Sequence, residues 1–297
     1  MIAVLAIFGP TASGKSAVAG RIAEQVTARL IAADSAQLYE GLPILTNQSP
    51  ATLVGTWRLD HEASVAEYQE LAHEAIDAAL ADGFMPIVVG GTGLYLRAAL
   101  ADLSVPPAPA PGARERWSAV YEDEGPEQAH ALLTELDPAA AEVVHPNDRR
   151  RVVRALELAE VGHSLRSDRL WSADVRHPTL VVGLDVPRDE LDRRIEERTR
   201  EMFEAGVEEE VRRALGGVLS STARKILGLR EIAELPRAHA ERELSAQTRR
   251  LAAYQRKWMR RIPGVVTVRA DRSLDEVADD ILALARGGQR VSTGRAD

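Results

Sequence analysis

The stretch Gly9-Pro10-Thr11-Ala12-Ser13-Gly14-Lys15-Ser16 decides how this chain is read. It follows the apolar run Ile2–Phe8 and precedes a stretch with helical periodicity. This is G-x-x-x-x-G-K-[ST] in the setting that gives the pattern meaning: strand, glycine loop, helix. Backbone N–H groups of such a loop form an anion nest, and the following helix adds its positive end. Lys15 is placed to neutralise a terminal phosphate, and the Ser16 hydroxyl suits Mg²⁺. Gly9, Pro10, Thr11, Ala12, Ser13, Gly14, Lys15 and Ser16 are therefore the expected polyphosphate cradle, with Ser16 the metal contact. The pattern leaves open whether phosphate is transferred, hydrolysed or merely leaves. A chance match in a glycine loop is the competing explanation.

Working outward, Arg29–Ala33, Pro86–Gly90, Thr179–Leu184 and Gly264–Val268 also read as short buried strands. Helical patterns separate them, as in a parallel α/β sheet with crossover helices. Ser64–Asp82 is one such helix, with Val65, Tyr68, Leu71, Ala72, Ala75, Ile76, Ala79 and Leu80 on one stripe and Gly83 as its stop. The proline-rich stretch 105–112 opens a strand-free region that runs to Ser172. The expected organisation is a P-loop α/β core over 1–104 and 173–286 with C-terminal helices, and a helical insertion over 105–172. Residues 287–297 lack apolar content and are expected to be a disordered tail.

Composition sets limits on function. The chain has 297 residues, 45% of them hydrophobic and 28% charged, as in ordinary globular proteins. No apolar run approaches the roughly 20 residues of a membrane span, and residues 1–8 read as a buried strand rather than a signal peptide. The absence of cysteine excludes disulfides and thiolate metal sites and fits a reducing cytoplasm. With a net charge of −8, a nucleic-acid partner would need a local basic surface. The seven histidines show no H-x₃-H or H-E-x-x-H spacing, so nothing points to catalytic zinc.

Asp34 ends the second strand, where open α/β sheets bind ligands. It suits a general base or a residue that orients Mg²⁺; a solvated aspartate capping its own turn is the alternative. Gln37 offers an amide that could read a purine edge. The third strand ends in Gly90-Gly91-Thr92-Gly93, which permits close backbone approach and supplies the Thr92 hydroxyl, or simply makes a tight turn with a helix cap. Two basic clusters stand out. Arg149, Arg150, Arg151 and Arg154 open one helix; Arg249, Arg250, Arg256, Lys257, Arg260 and Arg261 line another, interleaved with Tyr254 and Trp258. Cations among aromatics suit a phosphate backbone and exposed bases. A solvated helix face with Trp258 packed inward is the bland reading.

In order along the chain, several pieces resemble the bacterial tRNA dimethylallyltransferase family. They are the phosphate loop, Ala33-Asp34-Ser35-Ala36-Gln37-Leu38-Tyr39, Ser64-Val65-Ala66-Glu67-Tyr68, and Val89-Gly90-Gly91-Thr92-Gly93-Leu94-Tyr95-Leu96. His145-Pro146-Asn147-Asp148 running into Arg151 and Arg154, Pro187-Arg188-Asp189-Glu190-Leu191, and Thr248-Arg249-Arg250 with Gln255 and Trp258 follow. The resemblance implies transfer of a dimethylallyl group from dimethylallyl diphosphate to the exocyclic amine of the adenosine beside the anticodon. It implies that Asp34 takes the amine proton, that Thr92 touches substrate near the reaction centre, and that Lys15, Ser16 and Mg²⁺ hold the diphosphate. Asp34, Ser35, Ala36, Gln37 and Thr92 would contact the flipped-out adenosine and its neighbours. Arg114, Arg150, Arg151, Arg154, Arg249 and Arg250 would grip the tRNA anticodon stem-loop. The protein is expected to act in the cytoplasm as a monomer.

The sequence also departs from that family. A Pro-His-His-Leu segment is replaced by Thr56-Trp57-Arg58-Leu59-Asp60-His61. Where many members place a diphosphate-binding arginine, the best match is Lys225, with Arg224 adjacent. Lysine keeps the charge and loses the bidentate fork. A lysine–arginine pair before Gln255 is Ala253-Tyr254 here. Three other readings stay open: the same chemistry on free adenine nucleotides, a small-molecule P-loop kinase, and a non-catalytic RNA-binding protein.

Overall fold

The computed structural model describes residues 2–103, 110, 112–165 and 174–287. Most of the proline-rich stretch and the tail from 288 onward lie outside the described residues. Gly287, placed in the expected tail, is the last residue of the final helix.

Five strands make the sheet: Val4–Phe8 (β1), Ala28–Ala32 (β2), Met85–Gly90 (β3), Thr179–Asp185 (β4) and Val266–Arg269 (β5). They run parallel in the order β2-β3-β1-β4-β5. The central strand β1 is Val-Leu-Ala-Ile-Phe, buried at every position. A continuous apolar strand is what a parallel sheet covered on both faces requires. The fold is thus the expected P-loop NTPase-like parallel sheet flanked by helices.

Lys15–Gln25 (α1) follows the phosphate loop, and Val65–Ala81 (α2) and Gly93–Leu100 (α3) flank β3 in sequence. Ser64 caps α2 by accepting a hydrogen bond from Glu67 N, and Gly83 at φ +77° ends its turn. Four helices then form a compact unit of their own, Leu103–Leu170. They are Ala113–Glu124 (α4), Pro126–Leu136 (α5), Pro138–Val143 (α6) and Arg149–Ala159 (α7). Its core gathers Tyr121, Leu133, Val144, Val152 and Leu156. The His145-Pro146-Asn147-Asp148 piece is the turn that launches α7. Asn147 N donates to His145 Nδ1 and Arg151 N to Asp148 Oδ1.

The remaining helices belong to the sheet unit: Arg188–Glu204 (α8), Val207–Leu215 (α9), Leu229–Glu234 (α10), Arg237–Met259 (α11) and Leu274–Gly287 (α12). Leu5 and Ile7 of β1 share one buried cluster with Val18 and Ile22 of α1, Leu191 and Ile195 of α8, and Val277 and Ile281 of α12. Among the described residues, no helix is long and apolar enough to cross a membrane.

Candidate active site

The strand order decides the site. With β3 between β1 and β2, the loops after these three strands sit side by side at the carboxyl edge. The loop after β1 is the phosphate loop. Gly14, at φ +85°, starts α1 without a side-chain cap. The first-turn amides of that helix have no intrahelical acceptors of their own, the usual basis of anion binding. Lys15 Nζ donates to Pro10 O at 3.3 Å, folding the side chain over the loop. Ser13 is buried and its hydroxyl makes no hydrogen bond.

Asp34 lies just beyond β2. Its Oδ1 accepts from Ala36 N at 3.2 Å, so it does cap its own turn. Ser35 N donates to Thr92 Oγ1 at 3.4 Å, which brings the Asp34 and Thr92 loops together. Behind them, Tyr68 donates to Ala32 O at 3.0 Å and its ring lies 4.5 Å from that of Tyr95. Gly90 is required by this closeness: a Cβ there would stand 1.9 Å from Ala33 O. No L side chain tolerates that contact without moving β2.

A residue from far along the chain closes the arrangement. Gln255 of α11 is buried, accepts from Thr11 N at 2.7 Å and donates to Gly91 O at 2.9 Å. One side chain thus fixes the phosphate loop against the Thr92 turn. A second residue, Arg198 of α8, donates to Thr11 Oγ1 at 3.1 Å. The motifs quoted from the sequence include Gln255 without assigning it a role, and they omit Arg198 altogether. Arg198 sits in a helix dense in alternating charges, and nothing in its spacing separates it from Arg193, Arg194 or Arg200.

Electrostatics join three of these groups. Loss of solvent around the Lys15 ammonium pulls its pKa down to about 8; Asp34 opposes the shift and Arg198 adds to it. Burial also lowers the pKa of Arg198, against the pull of Asp34 and Glu201. Burial pushes the Tyr95 hydroxyl upward, and the Asp34 charge adds to that rise.

Thr11, Asp34, Arg198 and Gln255, with Thr46, Thr199 and Thr248, form the polar part of a cavity of about 100 Å³. Leu45, Ile195, Met202, Leu227 and Leu244 contribute an apolar part. A larger cavity of about 770 Å³ lies along the edge strand β5 and α12 and takes no residue from the phosphate loop. The smaller one is the candidate site, because the phosphate loop and Asp34 open onto it.

Several expected residues stand elsewhere. Lys225 is exposed, is not among the cavity lining, and acts electrostatically on Glu62. The cation that the structure brings to Thr11 is Arg198 instead. Gln37 donates to Thr46 O and Asn47 O, so its amide nitrogen serves the loop over 42–48. Arg249 pairs with Glu196 and Asp192, and Arg250 approaches Glu243 at 3.9 Å. Within the helical unit, Arg150 and Arg151 are exposed at the start of α7. Arg114 and Arg154 both hold Glu157, which is fully buried. Burial pushes the Glu157 carboxyl up, but its bonds to the two arginines outweigh this and hold it below the usual range.

The segment that lacks the histidine pair has its own scaffold. Trp57 Nε1 donates to Glu67 Oε1 at 3.1 Å, and His61 Nε2 lies 2.8 Å from Glu67 Oε2. The Trp57 and His61 rings stack with centroids 5.5 Å apart. Trp57 N donates to Leu38 O and Glu40 N to Trp57 O, both at 2.8 Å, so this scaffold backs the segment that leads from Asp34.

A glycine-rich phosphate loop on a parallel sheet, with a carboxylate and apolar side chains lining one small cavity beside it, defines a P-loop protein. Comparison with known proteins agrees. The isopentenyl transferase family model matches residues 2–59 and the IPP transferase model matches residues 37–262. The chain belongs to the IPP transferase family, the one its motifs resemble. It is 40% identical over 277 residues to a tRNA dimethylallyltransferase of Streptomyces coelicolor, covering 88% of each chain. It is 39% identical over 285 residues to one of Thermobifida fusca, covering 89% of each. The crystal structure of a tRNA isopentenylpyrophosphate transferase from Bacillus halodurans superposes with a TM-score of 0.71 at 27% identity, covering 97% of this chain and 96% of that one. A eukaryotic dimethylallyltransferase acting on tRNA shares the fold, with a TM-score of 0.81 at 22% identity, over 100% of this chain and 82% of the other.

Proposed function

We propose that this protein transfers a dimethylallyl group from dimethylallyl diphosphate to the exocyclic amine of the adenosine beside the anticodon of tRNA, releasing diphosphate. The observation that carries the reading is the cavity that joins Thr11, Arg198, Asp34 and an apolar wall. A kinase acting on a small polar acceptor has no use for that wall.

The allylic C–O bond breaks with positive charge growing on carbon and negative charge on diphosphate. Lys15, Arg198 and the amides at the start of α1 are aimed at that leaving group, where fixed charges are worth more than in water. The unpaired Ser13 hydroxyl gains a phosphate oxygen as partner. Adenine's amine is a weak nucleophile because its lone pair is delocalised. Asp34 accepts its proton as the new C–N bond forms. Thr92 accepts from Ser35 N, so its own proton is available to the substrate. The leucines of the cavity keep water from the allylic carbon.

Mg²⁺ fits this donor set. Among the described residues no group of three His, Cys, Asp or Glu side chains could hold a metal alone. Mg²⁺ bound with a substrate takes few protein ligands and completes its shell with phosphate oxygens and water, so Ser16 Oγ with diphosphate suffices. When bound, it would neutralise charge on the departing diphosphate.

The anticodon stem-loop would meet Arg150 and Arg151 of the helical unit, with Arg114 and Arg154 holding α7 in shape through Glu157. Arg249 and Arg250 would add contacts on α11, and Ser35, Ala36 and Gln37 would line the base pocket. We place the enzyme in the cytoplasm, acting as a monomer. The test is Asp34→Ala. Transfer should collapse by about 10²–10⁴-fold, the usual worth of a general base, while tRNA affinity stays within about twofold. Transfer at the wild-type rate would remove Asp34 as the base.

A further inference from the structure

The cavity has a leucine-lined end that the reaction itself does not explain. Gln255, Leu251, Thr248 and Leu244 share one face of α11 and all line it. Gln255 holds the phosphate loop, so Leu244, three helical turns away, marks the opposite end. There Leu244 and Leu45 both flank Gly228. A Cβ on Gly228 would lie 2.8 Å from Leu45 Cδ1 and 3.0 Å from Leu244 Cδ1, so both side chains converge on that glycine. Both leucines are buried.

This end is rigid. The buried carboxylate of Glu210, on α9, accepts from Ile44 N at 2.9 Å and from Leu45 N at 2.7 Å. From the other side Gln37 holds Thr46 O and Asn47 O. The loop that carries Leu45 is thus held on both flanks by hydrogen bonds, and any side chain added at Gly228 would press on Leu45.

Size then becomes selective. A 150 Å³ apolar cavity holds benzene, which sets a scale of about 25 Å³ per carbon. Given wholly to hydrocarbon, the 100 Å³ here takes about four carbons. A five-carbon group fits with its reacting carbon at the polar mouth. A ten-carbon chain needs about 250 Å³ on the same scale. The geometry points to Leu45 and Leu244 as the chain-length stop, the pair that makes this enzyme select a single isoprene unit. The inference rests on the prenyl-transfer reading above.

Each Leu→Ala change removes three carbons, or about 75 Å³, so the pair opens about the room that a second isoprene unit needs. The experiment compares wild type with Leu45→Ala/Leu244→Ala, offering dimethylallyl or geranyl diphosphate, with tRNA as acceptor. The geranyl-to-dimethylallyl ratio of kcat/KM should rise by at least about tenfold, the smallest usual worth of hydrocarbon fit. Binding of geranyl diphosphate without tRNA is measured in parallel. The same binding is measured on Leu45→Val and Leu244→Val, which remove one carbon each and keep the core packed. Geranyl binding should tighten in those variants too. An unchanged ratio in a folded double variant, or geranyl binding no tighter than wild type in all three variants, overturns the proposal. Wild type that transfers nothing from dimethylallyl diphosphate would instead defeat the functional reading, and geranyl binding would still test the stop.

Discussion

Lys15 should make donor binding pH-dependent in a range where an ordinary lysine is silent. Its pKa is drawn to about 8 by loss of solvent. Only the ammonium form pairs with diphosphate, so the apparent dissociation constant is the intrinsic one divided by the protonated fraction. With a pKa of about 8, that fraction falls from about 0.9 at pH 7 to about 0.1 at pH 9, a tenfold loss of affinity. A lysine at the reference value of about 10.4 would lose almost nothing over the same span. Dimethylallyl diphosphate is the right probe, because a phosphate ester sheds its last proton near pH ~6 and adds no titration of its own above 7. Calorimetry in two buffers of different ionisation enthalpy, without tRNA, should show uptake of about half a proton at pH 8. Stability should move the other way. Between about 8 and 10.5 the unfolded chain binds the proton that folded Lys15 has lost, so this group's contribution to stability rises with pH across that window. Lys15→Met should bind weakly at every pH. Affinity that is flat from pH 7 to 9 in wild type, or a fall of equal size in Lys15→Met, would refute the reasoning.

Other consequences are as direct. Gln255→Leu leaves Thr11 N and Gly91 O without their partner, at about 1–3 kcal/mol for each buried group; kcat should fall more than the KM for either substrate rises, and a variant with wild-type kcat would show that the link is not needed. Glu157→Ala removes the buried carboxylate that Arg114 and Arg154 share and should cost the helical unit about 1–3 kcal/mol, because Arg114 is half exposed and its charge stays hydrated, read as early loss of its helices on thermal melting. The Glu157 pKa is held below its ordinary value, so the stability it gives is present above the unfolded carboxyl range and lost as pH falls through the folded one; acid titration of the α7 amides, followed by hydrogen exchange, should show this in wild type and not in Glu157→Gln. Reversing Arg150 and Arg151 to glutamate should lower the slope of log affinity for tRNA against log salt by about 0.7 to 0.9 for each phosphate that is no longer neutralised, and an unchanged slope would mean that these side chains face away from phosphate.

The fold was legible because its signals are local. A continuous apolar strand, a glycine loop and a capped helix each announce themselves within about ten residues, and β1, α1 and α2 follow from them. The loop residues were legible for the same reason, since Asp34 and Thr92 lie next to strand ends. Arg198 was not. It reaches Thr11 from 187 positions away, and only the packing of α8 picks it out from neighbouring arginines. Lys225 was expected in that place because a motif aligns it, yet Ile226 and Leu227 are the residues of that turn that line the cavity. Gln37 suited a base edge by its chemistry, but its nitrogen is spent on Thr46 O and Asn47 O, bonds that only the folded loop creates. The exchange of a histidine pair for Trp57 and His61 also needed coordinates, because Glu67 joins the two from a different element.

The most direct test of the account is mass spectrometry of nuclease-digested tRNA after incubation with the protein, dimethylallyl diphosphate and Mg²⁺, with AMP as a parallel acceptor. The adenosine beside the anticodon should gain one dimethylallyl group and AMP none. A modified AMP with untouched tRNA, or no mass gain on either acceptor beside an active control enzyme, would contradict it.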